Sequence, residues 1–205
     1  MRLYNASSSE CFGDTPQEGA TEVTPFRPRS PYAVAKAAAH WAVVNYRQAY
    51  GLFASNGILF NHESPLRHER FVTRKIISSA CNVKLGRQQK AYFGNLNLHR
   101  DWGWAPQYVE AMWRILQHSE SDDFVIATGE SHSLQDFVEA AFKEVGLDWK
   151  EYVEFDQSLT RPTDIVYSKG NPAKATSMLG WKPTYRMHDV VQKMVQAELD
   201  NNVIS

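Results

Sequence analysis

Tyr32 and Lys36 stand four residues apart, a little downstream of the run Ser7, Ser8, Ser9, Glu10. On a helix, positions i and i+4 share a face, so a phenol and an ammonium at that spacing point into one cleft. A cation beside a phenol favours the phenolate and lowers its pKa, giving a base usable near neutral pH. With a serine hydroxyl and a carboxylate alongside, the set suits acid/base chemistry on a carbinol. Tyr-x-x-x-Lys alone is weak, with about 0.4 chance matches expected in a chain of this length and average composition. Two features strengthen it. The Ser/Glu run closes a strand, where open α/β sheets bind ligands, and the helix after Ser30-Pro31 is rich in small residues that permit close approach.

The elements that must position these groups are legible around them. Residues 2–6 read as the end of a buried strand, and 7–30 as a loop kept irregular by Pro16, Pro25 and Pro28. Ser30 as cap and Pro31 at the first position predict a helix through Tyr50, stopped by Gly51. Residues 53–60 read as a strand, and this strand–helix–strand order predicts an α/β protein with a partly parallel sheet. Further helices are expected at 70–84, at 105–118, from the cap Ser133 to Gly146, at 171–179 and at 187–200. Strands are expected at 91–95, 124–128 and near 151–155. Trp102, Trp104 and Trp113 are read as core packing rather than an aromatic box.

Composition bounds the function. With 22 Lys/Arg against 23 Asp/Glu, the net charge of -1 argues against nucleic acid as the main partner. The charge is uneven, however. Residues 61–100 hold eight basic residues and only Glu63 and Glu69 as acids, which suits a small, highly charged anion. Two cysteines, Cys11 and Cys81, without CxxC or metal spacing, point to a reducing cytoplasm and to no metal. His62-Glu63 does not extend to a zinc motif, since Leu66 stands where the second histidine would be. No apolar run reaches the roughly 18 residues of a membrane span, and no signal pattern opens the chain.

In chain order, ASSSECFG, TPFRPRSPYAVAKAAA, YGLFASNGILFNHESP, RFVTRK, RDWG, RPTD and LGWKP resemble the GDP-mannose 4,6-dehydratases of the extended short-chain dehydrogenase/reductase group. The resemblance covers essentially the whole chain. FNHESP followed by FVTRK is specific to this dehydratase, whereas RPTD and LGWKP recur in other sugar-nucleotide enzymes. It implies an α/β fold: the C-terminal part of a Rossmann-type parallel sheet plus a small α/β substrate-binding lobe. Residues 1–60 would be the remnant of the NADP-binding domain carrying the catalytic residues. Residues 61–205 would be the sugar-nucleotide lobe, with some segments returning to the first domain.

The resemblance also implies roles. Tyr32 would take the proton of the hexose 4-hydroxyl, and Lys36 would lower the tyrosine pKa and hold the nicotinamide ribose of NADP. Ser8, where relatives often have threonine, would hydrogen-bond the sugar oxygen, and Glu10 would be the acid/base at C5 and C6. His62 and Arg67 would contact NADP, although Leu66-Arg67 replaces the Arg-Arg common in the family. Ser9, Asn61, Thr73, Lys75, Arg100, Arg161 and Asp164 would line the GDP-sugar, arginine suiting its pyrophosphate. The expected partners are GDP-mannose and either further copies of the chain or a complementing N-terminal half, with no nucleic acid and no membrane.

The cofactor expectation meets one departure. A dinucleotide site needs a glycine-rich turn at a helix N-terminus, yet no two of the eleven glycines lie closer than 13/19 and 51/57. Two other readings therefore stay open: a catalytically silent GDP-sugar-binding or oligomerisation module, and another sugar-nucleotide epimerase or reductase. Glu10 argues against the last, since a simple reductase needs no acid/base at C5.

Overall fold

The computed structural model describes residues 1–160 and 163–204. The chain opens with strand β1 (Arg2–Ser8), a 3-10 turn at Ser9–Phe12 and helix α1 (Pro31–Tyr50). Strands β2 (Phe53–Leu59) and β3 (Asn61–Glu63), helix α2 (Val72–Lys84) and strand β4 (Ala91–Phe93) follow. Strands β5 (His99–Arg100) and β6 (Trp102–Trp104) lead into helix α3 (Ala105–Gln117) and strand β7 (Asp123–Ile126). Strand β8 (His132–Ser133), helices α4 (Leu134–Glu144) and α5 (Trp149–Tyr152) and strand β9 (Val153–Phe155) come next. A second 3-10 turn (Gln157–Leu159) and helices α6 (Ala173–Leu179) and α7 (Met187–Ile204) complete the order. Among the described residues no helix is long and apolar enough to cross a membrane.

The main sheet is parallel, in the order β1-β2-β7, with Ser8 opposite Leu59 and Leu59 opposite Ile126. Parallel neighbours need crossovers, which α1 supplies between β1 and β2. Side chains alternate across β2, so Ile58 joins Phe12, Phe60 and Val125 on one face while Leu59 joins Tyr108, Phe124 and Trp181 on the other. The expectation of a buried strand at residues 2–6 is corrected: the strand runs on through Ser8, and none of residues 2–6 is buried. Ser7 and Ser8 are buried, but Arg2 and Leu3 are exposed, because β1 pairs with β2 on one side only.

A polar belt crosses the sheet instead of hydrocarbon. Asn5 Nδ2 donates to Asn56 Oδ1 (2.7 Å), and Asn56 Nδ2 donates to Asp123 Oδ1 (2.8 Å). Arg47 grips both oxygens of Asp123 at 2.9 Å and also donates to Ala54 O. Burial alone would raise the Asp123 pKa, but these hydrogen bonds hold it below the usual carboxylate value. Arg47 thus fastens the last turn of α1 to the sheet.

The second half packs α2, α4 and α7 around Ile76, Phe137, Phe142 and Met194, with Phe93 and Trp102 closing the core. Ser133 and Asp136 form a capping box at the start of α4. Trp113 is a correction: it is 62% exposed. α3 buries Tyr108, Ala111 and Ile115, and a residue two places after Ala111 falls on the opposite face.

One tie reaches nearly end to end. Asp14 Oδ1 accepts from the backbone N–H of Val166 (2.6 Å) and Tyr167 (3.0 Å), while Ala20 N–H donates to Lys169 O (2.9 Å). The loop between β1 and α1 is therefore laid against residues 166–171.

Candidate functional site

The site begins where β1 ends. Ser8 is extended, and its Oγ accepts from Glu10 N–H at 3.3 Å, capping the 3-10 turn that swings Glu10 outward. That turn closes on Gly13 at φ +70, where a Cβ would stand 2.6 Å from Arg27 O, so only glycine fits. Ser30 caps α1 by accepting from Ala33 N–H at 3.0 Å, with Pro31 in the first turn. The same hydroxyl lies 3.5 Å from Glu10 Oε2.

One turn into α1, Lys36 Nζ donates to Ala6 O at 2.9 Å. This pins the ammonium to the strand end that carries Ser8, with the Tyr32 ring centroid 5.8 Å away. Tyr32 itself is 54% exposed and carries its phenol outward beside the lysine. The strand end, the turn and the first turn of the helix thus gather Ser8, Glu10, Tyr32 and Lys36 at the C-terminal edge of the parallel sheet. Open α/β sheets place their ligands at that edge.

Two small cavities open nearby. The first, of about 100 Å³, is walled by Glu10, Arg29, Ser30, Arg100, Asp164 and Ile165. Arg100 donates to His99 O (2.8 Å) and Ile165 O (2.7 Å), and burial lowers its pKa against the opposing pull of Asp164, Glu10 and Asp14. Arg29 is paired with Asp14 at 2.8 Å, the acid that holds residues 166 and 167. The second cavity, of about 90 Å³, lies among Asn61, Glu63, Arg67, Thr73, Arg100 and Trp102. Arg100 is a wall of both.

Behind the second cavity sits a carboxyl group that the sequence reading treated only as the neighbour of His62. Glu63 ends β3 and is 1% exposed; Thr73 Oγ1 donates to its Oε2 at 2.9 Å. Arg67 Nε lies 3.1 Å from the same oxygen. Burial raises Glu63 to about 7 despite the opposing pull of Arg67 and Thr73. His62 stacks on Tyr108 with ring centroids 4.8 Å apart, and its Nδ1 faces Phe60 O at 2.8 Å. Burial lowers its pKa, so near neutral pH the ring is neutral, with Nδ1–H as the donor.

The remaining expected residues distribute unevenly. Asn61, Thr73, Arg100 and Asp164 line the cavities, although the Thr73 hydroxyl is already committed to Glu63. Ser9 is buried, and Lys75 Nζ donates to Tyr92 O at 3.0 Å; neither is in the wall of these two cavities, and nor is His62. Arg161 lies outside the described residues.

Sequence reasoning passed over Arg29, Ser30 as a wall of the first cavity, Glu63 and Asp101. Asp101 is fully buried and accepts from Thr128 N–H (2.8 Å), Thr128 Oγ1 (2.7 Å), Gly129 N–H (3.0 Å) and Gly170 N–H (3.3 Å). It knots the segments that carry Arg100 and Ile165. The only signal for it was its place beside Arg100 in RDWG.

Comparison with known proteins follows the same lines. The sequence pattern of the GDP-mannose 4,6 dehydratase family matches residues 1–194. GDP-mannose 4,6 dehydratase 1 of Arabidopsis thaliana is 52% identical over 200 residues, covering 98% of this chain and 55% of the relative. The Homo sapiens GDP-mannose 4,6 dehydratase is 45% identical over 217 residues, covering 98% and 58%. The chain thus spans about half the length of these relatives. In fold it matches dTDP-glucose 4,6-dehydratase from Bacillus anthracis, solved with NAD (TM-score 0.87, 23% identity, 98% of this chain and 63% of that one). It also matches UDP-glucose 4-epimerase from Thermus thermophilus, solved with NAD (TM-score 0.82, 26% identity, 97% and 64%). The chain belongs to the GDP-mannose 4,6-dehydratase family.

Proposed function

We propose that this chain carries the catalytic and sugar-nucleotide-binding residues of an NADP-dependent GDP-mannose 4,6-dehydratase, a lyase yielding GDP-4-keto-6-deoxymannose. The observation that carries this reading is the Lys36–Ala6 bond, which pins the Tyr32/Lys36 face of α1 to the strand end bearing Ser8 and Glu10. On this reading residues 1–60 serve the cofactor side and 61–205 the sugar nucleotide, with β7 returning to the main sheet.

The α1 end fits the nicotinamide ribose of the dinucleotide. Lys36 uses one ammonium proton on Ala6 O and keeps two for other acceptors, and Tyr32 is open beside it. NADP, when bound by Tyr32, Lys36, His62 and Arg67, supplies the hydride acceptor for C4 and the donor for C6. The glycines of this chain form no turn for its pyrophosphate, so a complementing N-terminal half is the proposed partner for that end.

Tyr32 takes the proton of the 4-hydroxyl. Ser8 Oγ accepts from Glu10 N–H, which leaves its own proton free to donate to the same sugar oxygen. Once C4 is a carbonyl, the C5 proton is acidic, so oxidation must precede elimination. Glu10 removes that proton and gives one to the departing C6 hydroxyl, which leaves as water; a proton returns to C5 when C6 is reduced. Arg100 and Arg161 suit the pyrophosphate and Asp164 the ribose hydroxyls, with Ser9, Asn61, Thr73 and Lys75 completing the sugar-nucleotide contacts. The outer face of α1, with Val34, Trp41, Tyr46 and Tyr50 exposed, suits a second copy of the chain. Two buried free thiols, Cys11 and Cys81, suit a reducing cytoplasm.

The test is incubation with GDP-mannose and NADP, with and without a supplied N-terminal half, followed by mass detection of the dehydrated 4-keto sugar. Tyr32→Phe should abolish product while leaving the melting curve unchanged, since the phenol is exposed. Absence of product in both conditions refutes the catalytic reading. The wide glycine spacing favours a second reading, a silent GDP-sugar-binding module, which predicts GDP binding without NADP binding.

A further inference from the structure

Arg67 is held by two opposed environments. Its guanidinium lies 3.6 Å over the Phe71 ring, its side chain is 26% exposed, and it forms part of the wall of the second cavity. On its inner side, Nε is 3.1 Å from Glu63 Oε2 but misaligned, so the buried N–H has no hydrogen-bond partner. The contact is therefore one of charge rather than a formed hydrogen bond. An unpaired buried donor beside an anion-sized cavity is a cation poised between two acceptors, one internal and one arriving from outside.

The groups facing Glu63 are few. Arg67 approaches from the loop after β3, Thr73 from α2, Arg100 from β5 across the shared cavity, and Tyr108 from α3. His62 precedes it on β3 and feels Arg67, while Asp101 and Arg186 act on Tyr108. Among the described residues only Arg67 is both in contact with the carboxyl and partly open to solvent.

We propose that Glu63 is a positioning residue that couples nucleotide-phosphate binding to proton uptake. Its carboxylate holds Arg67 in the cavity wall, and a phosphate that draws the guanidinium away leaves the carboxyl to take one proton from solvent. The proposal rests on the nucleotide reading of this cavity and deepens it. Charge balances: the guanidinium passes from carboxylate to phosphate, and the proton neutralises the buried carboxylate that remains. The position of Glu63 at about 7 puts this exchange within the neutral range.

The sign distinguishes this device from ordinary phosphate chemistry. With proton uptake at Glu63, affinity falls as pH rises, by at most about tenfold per unit above the Glu63 pKa. A nucleotide phosphate ionising near about 6 would strengthen binding as pH rises, the opposite trend. His62 would share the sign of Glu63, but burial pushes its titration below its ordinary value, acidic to the window in question.

Titration calorimetry of the purified chain tests this, with GDP in one arm and NADP in the other. It would run between about pH 6.5 and 8.5, around ordinary neutral titration, in buffers of different ionisation enthalpy. The expected result is uptake approaching one proton per ligand in the upper half of that range, with affinity falling there. The arm that shows uptake identifies which nucleotide supplies the phosphate. Glu63→Gln should abolish uptake and flatten the profile. Binding without uptake, or equal uptake in the variant, overturns the coupling and leaves the nucleotide reading intact. Binding of neither nucleotide overturns both. The proton count on the unsubstituted chain decides the matter even if the variant fails to fold.

Discussion

Arg47→Met removes the clasp that holds α1 to the sheet, and its effect can be worked from the geometry. The guanidinium makes two hydrogen bonds of 2.9 Å to Asp123 and a third to Ala54 O, with both side chains about 15% exposed. Breaking a buried pair costs about 3–5 kcal/mol because it strands a charge, and the residual exposure argues for the lower end, about 3 kcal/mol. For a domain of this size each kcal/mol lowers Tm by about 2–4 °C, so a fall of about 6–12 °C is expected. A second group modulates this. His40 Nε2 lies 3.7 Å from Asp123 Oδ2, and burial first, then Arg47, lowers its pKa. Without Arg47 that repulsion is gone, so His40 protonates more readily and partly replaces the lost cation.

In the parent chain burial and Arg47 hold the His40 pKa below its unfolded value, so His40 costs stability as pH falls through that unfolded value, and removing Arg47 lessens the cost at acid pH. The loss in Arg47→Met should therefore be smaller near about pH 5.5 than near pH 8, by about 1 kcal/mol after desolvation of the imidazolium. Asp123 acts in the same direction in the parent chain, at lower pH. Its depressed pKa gives stability above the ordinary carboxylate value, lost as pH falls through the folded one. Urea denaturation of both chains at the two pH values is the assay. Equal stability of variant and parent, or a larger loss at the acid pH, would refute the reasoning.

Two further substitutions probe the scaffold. Ser30→Ala should lower stability by about 1 kcal/mol through loss of the α1 cap, while Ser30→Asp should keep the cap yet set a second carboxylate beside Glu10. Thermal melts separate the first effect, and turnover measurements on the stable Asp variant report the second. Gly103→Ala would drive a methyl group into the ring of Tyr108, which is fully buried between His62 and Trp181 and cannot retreat. About 1–3 kcal/mol of destabilisation is expected by denaturation, and no measurable loss would show that Tyr108 can shift.

The larger elements were legible because each carried its own local signal. Ser30-Pro31 and Gly51 bracket α1 as expected, with Ser30 in cap geometry and Gly51 left-handed. Ser133 and the strand through Ile58 behaved likewise. The two- and three-residue strands β3, β5, β6 and β8 were not expected, whereas the equally short β4 and β9 were, their aromatic and β-branched residues standing in for the alternation that two or three residues do not show. Trp113 misled because bulk argues for burial while helical phase decides it. In the site, the nearness of Tyr32 and Lys36 to the Ser7–Glu10 run at one strand end was readable from residue type and spacing, while the choice of Ser8 within that run came from the resemblance. Glu63 was not, because its meaning comes from Thr73 and Arg67 folding over it, a tertiary fact that an acid beside a histidine does not announce.

The tie between Asp14 and residues 166–167 has a kinetic consequence. It joins positions 152 apart in the chain. Closing a loop of that length costs about 4 kcal/mol in chain entropy, whereas β1, α1 and β2 meet through a short crossover. The pair of strands and the helix bearing Tyr32 and Lys36 can therefore form early from neighbouring sequence. The first cavity needs Glu10 from one end and Asp164 from the other, so it closes only when the distant segments dock. A nascent or partly unfolded chain would hold Tyr32 and Lys36 on their helix with the first cavity still unformed beside them.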